Sequence, residues 1–86
     1  MKQFEYVITD PLGIHARPAG MLARTAKSLN SEVSIAKDGA EPAIASRLMA
    51  IMGMGIKGGD TVTVTVDGGD EDANLETMKK FFGENL

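Results

Sequence analysis

From Thr61 to Val66 the chain reads Thr-Val-Thr-Val-Thr-Val, an unbroken period of two. Side chains on a strand point alternately to opposite faces, so Val62, Val64 and Val66 must share one face of a sheet and the threonines the other. One dry face and one wet face is the habit of antiparallel sheets, since parallel sheets are usually buried on both sides. A chain of 86 residues supports one thin core. The dry face therefore calls for a single layer of helices, and the length argues against a deep substrate cavity.

The rest of the sequence supplies the partners for that strand. Phe4, Tyr6 and Ile8 alternate with Glu5, Val7 and Thr9, which predicts a first strand over about Lys2 to Thr9. Asp10-Pro11-Leu12-Gly13 has the residue order of a type I turn. Ala19, Leu22, Ala23, Ala26 and Leu29 then repeat at helical spacing. Pro18 is tolerated only in a first turn, so this helix starts at about Ala16 and ends at Asn30 or Ser31. Val33 and Ile35 mark a second strand, and Asp38-Gly39 predicts a type I′ hairpin into a short third strand, about Ala40 to Ile44. Pro42 assigns that strand to a sheet edge. Ser46 is expected to cap a short second helix carrying Leu48, Ile51 and Met52, stopped by Gly53 and Gly55. After the valine strand, Asp67-Gly68-Gly69-Asp70 forms a loop and cap. Leu75, Met78, Phe81 and Phe82 give a final helix face that Gly83 closes. The order is β-α-β-β-α-β-α in one domain, residues 1–86, with helices on one face of a four-stranded antiparallel sheet.

Composition narrows the functional classes. The longest apolar run, Leu48 to Ile56, has nine residues including two glycines, too short to span a bilayer, and the N-terminus lacks a signal-peptide core. Membrane insertion and export are not expected. The absence of cysteine rules out disulfides and thiolate chemistry and suits a reducing cytoplasm. A net charge of −3 with one Tyr, three Phe and no Trp argues against a nucleic-acid platform. The charge is uneven: residues 1–30 carry +2, residues 31–57 are neutral and residues 58–86 carry −5. An anion site is therefore sought in the first third.

The one histidine lies there, in Gly13-Ile14-His15-Ala16-Arg17-Pro18, between a turn and a helix start. The first amides of a helix have no internal partner and the dipole is positive there, so the position favours a phosphate-like anion. Pro18 removes one donor and leaves the Ala16 and Arg17 amides. The Arg17 guanidinium can grip phosphate oxygens in bidentate fashion. An imidazole beside such a cradle is a nucleophile placed next to the group it would accept. On position alone, His15 could equally be a solvated or capping residue and Arg17 a solvated charge. One His without Cys makes no strong metal site, and no cofactor is implied. Arg17, Gly20, Met21, Arg24, Lys27 and Ser28 form a basic stripe on the outer face of the first helix. Met21, Met49, Met52 and Met54 flank the same region, either as core filler or as an adaptable docking surface.

Gly13-Ile14-His15-Ala16-Arg17-Pro18-Ala19 resembles the active-site signature of the HPr family, the histidine phosphocarriers of the bacterial sugar phosphotransferase system. The similarity continues through Ser-Glu-Val-Ser-Ile, Gly55-Ile56-Lys57-Gly58, the valine-threonine strand and the last helix. It implies an α+β open-faced β-sandwich, four antiparallel strands covered on one face by three helices. It implies that His15 accepts, on the ring Nδ1, a phosphoryl group that Enzyme I draws from phosphoenolpyruvate, and passes it to Enzyme II A domains, with Arg17 and the Ala16 and Arg17 amides around it. A docking face would comprise Gly20, Met21, Arg24, Lys27, Arg47, Leu48, Met49, Ile51 and Met52. Many relatives carry a regulatory serine at the second helix, phosphorylated by an HPr kinase/phosphorylase and read by a catabolite-control transcription factor. Counted from the N-terminus, Ser46 takes that place; anchored on Gly55-Ile56, Arg47 does. Plain capping by Ser46 and regulatory phosphorylation both stay open.

A second reading makes the chain an HPr-like regulatory module of a nitrogen-type or incomplete phosphotransferase system, acting by protein binding. An autonomous enzyme is disfavoured: the chain offers one nucleophile without a base, metal or pocket to process a substrate alone.

Overall fold

The structure, a computed structural model, describes residues 1–86. Its elements are β1 (Lys2–Val7), α1 (Ala16–Ser28), β2 (Glu32–Lys37), β3 (Ala43–Ile44), α2 (Leu48–Gly53), β4 (Thr61–Asp67) and α3 (Glu71–Asn85). The strands form one sheet in the order β1-β4-β2-β3, antiparallel throughout. The alternating segment is thus an inner strand: Val64 lies opposite Phe4 on β1 and Ile35 on β2. Val62, Val64 and Val66 are fully buried.

The helices cover that dry face. α1 contributes Ala19, Leu22 and Ala26, α2 contributes Ile51, and α3 contributes Met78, Phe81 and Phe82 to one continuous core. Phe82 is its aromatic centre, edge-on to Phe4, Tyr6 and Phe81 at 5.8, 5.5 and 6.0 Å between ring centroids. No helix is long and apolar enough to cross a membrane.

Six local expectations are revised. β1 stops at Val7 because the next amides leave the ladder: Ile8 N–H donates to Asp60 O at 2.9 Å, and the Thr9 and Asp10 amides both donate to Leu86 O. The β2–β3 connection is not a type I′ hairpin. Gly39 alone has positive φ, +78°, while Asp38 does not, the pattern of a type II turn. β3 shrinks to Ala43–Ile44, with Pro42, which has no amide to donate, just outside it. Arg47 rather than Ser46 occupies the α2 N-cap, and no side chain caps that helix. Asp70 sits at the α3 N-cap but its carboxylate accepts from Asn30 Nδ2 at 3.3 Å instead of capping. Finally, α3 runs through Gly83 to Asn85. A helical glycine costs ~1 kcal/mol, and the buried Phe82 and Leu86, joined by Leu86 N–H to Phe82 O at 2.8 Å, hold the last turn.

Lys37, at the end of β2, ties the loop before β4. Its Nζ lies 3.2 Å from Asp60 Oδ2, which also accepts the Lys57 N–H at 2.8 Å. The Lys57 N–H, then Lys37, hold the Asp60 carboxyl below its ordinary range. A carboxyl whose folded pKa is depressed stabilises the fold above its unfolded pKa of about 3.9, and that contribution fades as pH falls through the folded value. Asp60→Ala is expected to lower the thermal midpoint at pH 7 by a few degrees. The gap from the parent should narrow in melts recorded below about pH 4; a gap independent of pH would contradict the role of the charge.

Candidate functional site

The loop that presents His15 is held by a close backbone approach. Gly13 has φ +67°, and a Cβ there would stand 2.0 Å from Ile56 O, so only glycine fits. Gly13 N–H donates to Asp10 O at 2.8 Å and closes the predicted turn, while Ile14 N–H reaches Ile56 O at 3.2 Å. Ile14 is buried and anchors the loop to the core.

His15 is therefore fixed at the N-cap of α1, with φ −88° and ψ −175°. Its carbonyl accepts the first helical bond, from Ala19 N–H at 2.9 Å, and its side chain makes no capping hydrogen bond. Pro18 is buried in the first turn and has no N–H to give. The Ala16 and Arg17 amides are thus the open donors at this positive helix end. The imidazole is 39% exposed and its Nε2 lies 3.6 Å from Asp10 Oδ2. Asp10, His15, Arg17, Pro18, Met21 and Asn85 line a shallow depression.

The sequence-predicted cluster of His15, Ala16 and Arg17 is brought together here. Two residues of the depression were not anticipated as site residues. Asp10 was legible only as a turn former, and Asn85 was hidden by the expectation that Gly83 ends α3.

The expected docking residues divide. Arg17, Arg24, Lys27 and Arg47 are exposed and belong to no ion pair, whereas Lys2, Lys37 and Lys79 face carboxylates. Gly20 and Met21 are half-buried on α1. On α2, which packs on α1, Leu48, Met49 and Met52 are 38%, 77% and 40% exposed. Ile51 is the correction: it is fully buried, because on so short a helix it is the residue that faces the core, so it supports the surface from below. Ser46 is half-buried and lines, with Lys27, a groove between the C-terminal end of α1 and β3.

A half-exposed histidine at a helix N-terminus, two open amides and an unpaired arginine thus stand together on an open-faced α+β sandwich. The family model described as "PTS HPr component phosphorylation site" matches residues 2–84, and the phosphocarrier protein HPr of Mycoplasma genitalium is 42% identical over 86 residues, covering 99% of this chain and 97% of that protein. The chain belongs to the HPr family of phosphotransferase-system phosphocarrier proteins. The HPr of Streptomyces coelicolor is 35% identical over 74 residues, 86% of this chain and 80% of that one. In three dimensions the chain is similar to the histidine-containing phosphocarrier protein of a mycoplasma, with a TM-score of 0.90, 32% identity, and coverage of 96% of this chain and 93% of the other.

Proposed function

We propose that His15 accepts a phosphoryl group from Enzyme I, charged by phosphoenolpyruvate, and passes it to Enzyme II A domains in the cytoplasm during sugar uptake. The observation that carries this reading is the uncapped His15 side chain beside the open Ala16 and Arg17 amides. Nδ1 attacks phosphorus, the bond from phosphorus to the donor breaks with its electron pair leaving on the donor, and the phosphoryl oxygens settle against the two amides and the Arg17 guanidinium. In the return step a nucleophile of the acceptor protein attacks phosphorus, and the electron pair of the broken bond returns to Nδ1. The protein is then a carrier with no turnover of its own.

A shuttle must meet two kinds of partner quickly and leave both. Unpaired Arg24, Lys27 and Arg47 give the face a positive field that speeds encounter with acidic partners. Leu48, Met49 and Met52 supply adaptable apolar contact. Ser46 has no capping role, and a phosphate there would share its groove with Lys27 and change the charge of the docking face. That supports control by a kinase acting on Ser46.

Arg17→Ala tests the cradle. Arg17 is exposed and unpaired, so stability should stay within about 0.5 kcal/mol. Charge-assisted bonds are worth ~1.5–3 kcal/mol, so phosphoryl transfer should slow by about 10- to 100-fold. An unchanged rate in a stopped transfer assay would remove Arg17 from the site.

A further inference from the structure

Asp10 has a place in the site that its turn chemistry does not account for. Its Oδ1 accepts the Leu12 N–H at 2.9 Å, its carbonyl accepts the Gly13 N–H at 2.8 Å, and its own N–H donates to Leu86 O at 2.9 Å. The close packing extends to Gly58, where a Cβ would meet Asp10 O at 2.8 Å. The residue is thus pinned on three sides, which leaves Oδ2 as the oxygen directed at the imidazole. The gap to His15 Nε2 is 3.6 Å, beyond hydrogen-bond length but within ion-pair range, and the Asp10 and His15 side chains are 28% and 39% exposed. Among the residues lining the depression, Asp10 and Arg17 are the only charged neighbours of the ring.

We propose that Asp10 is a positioning residue: its carboxylate holds the His15 ring with N–H at Nε2, leaves Nδ1 as the nucleophile, and stabilises the charge the ring gains when it is phosphorylated. This rests on the reading of His15 as the phosphoryl acceptor. The step balances without a proton leaving. The Nδ1 lone pair forms the bond to phosphorus, the donor keeps the electron pair of the broken bond, and Nε2 retains its hydrogen. The ring then carries a positive charge shared by both nitrogens, and one of them faces Oδ2. The carboxylate acts through the ring at Nε2 and does not touch the phosphoryl group, which is bonded to Nδ1. A carboxylate fixed in advance costs no reorganisation when that charge develops.

The test is Asp10→Ser. Serine at the first position of the turn can still accept the Leu12 N–H, but it does not reach the ring. Ring 15N spectra at about pH 8.5, some two units above an ordinary imidazole titration, report the tautomer without any phosphoryl donor. The parent should be predominantly protonated at Nε2, and the variant should relax toward the mixture of free imidazole. With Enzyme I and phosphoenolpyruvate, the initial rate of phosphoryl uptake should fall about two- to fivefold, the worth of a part-exposed ion pair, while the final stoichiometry stays at one. Asp10→Glu should recover part of the rate. Should Asp10→Ser melt well below the parent, Asp10→Asn keeps the Leu12 acceptor and takes its place. An unchanged tautomer ratio with an unchanged rate overturns the assignment. Failure of the parent to take up any phosphoryl group would defeat the carrier reading instead, and the tautomer ratio would still decide what Asp10 does to the ring.

Discussion

Val64→Asp is expected to leave the chain unfolded at room temperature, with loss of the far-ultraviolet strand and helix signal and no cooperative melt. Val64 is fully buried on the inner strand β4, between Phe4 and Ile35, inside the cluster that contains Phe82. A carboxylate there has no cation to meet. Stranding one charge in a core costs several kcal/mol, even after its pKa rises to neutralise it, whereas an 86-residue domain has about 4–13 kcal/mol in all. The cost falls on both neighbouring strands at once. The matched control is Thr65→Asp, one position along on the wet face, where the cross-strand neighbours Gln3 and Ser34 are uncharged; that variant should fold. A cooperative melt for Val64→Asp near that of the parent would refute the burial of the valine row.

The second large effect separates chemistry from stability. His15→Ala should abolish phosphoryl uptake altogether while leaving the melt within about 0.5 kcal/mol of the parent, because the side chain is half-exposed and caps nothing. Loss of uptake with an intact fold identifies a nucleophile. Retained uptake would place the accepting atom elsewhere in the chain, and a collapsed melt would make His15 a structural residue.

Much of this was legible in the residues themselves, for identifiable reasons. The valine alternation names its buried face without help from the rest of the chain, and the Gly13-to-Pro18 segment combines a turn, a proline allowed only in a first turn, and a histidine at the junction. These signals are local. The misses are those in which a tertiary contact outvotes a local preference. Gly83 reads as a stop, but Phe82 and Leu86 carry α3 past it. Asp38-Gly39 reads as a tight hairpin, but Lys37 continues to pair with Val62 on β4 while β3 begins only at Ala43, so the turn has no short ladder to close. Ile51 reads as part of an apolar surface, and only the packing of α2 shows it to be core while Met49 and Met52 stay outside. Asp10 belongs with these. Its proximity to His15 depends on the turn being pressed onto the Ile56–Gly58 segment, which no spacing in the sequence encodes.

Carriage of a phosphoryl group between proteins by His15 is open to direct measurement. Intact-protein mass at neutral to alkaline pH, where a phosphohistidine survives, tests it most directly: the full chain is incubated with Enzyme I and phosphoenolpyruvate, then with an Enzyme II A domain. A gain of one phosphoryl group in the first step, its loss in the second, and lability of the adduct in acid are the expected results. No gain in mass, or an adduct that neither passes to the A domain nor hydrolyses in acid, would contradict it and leave a regulatory binding module of the same fold.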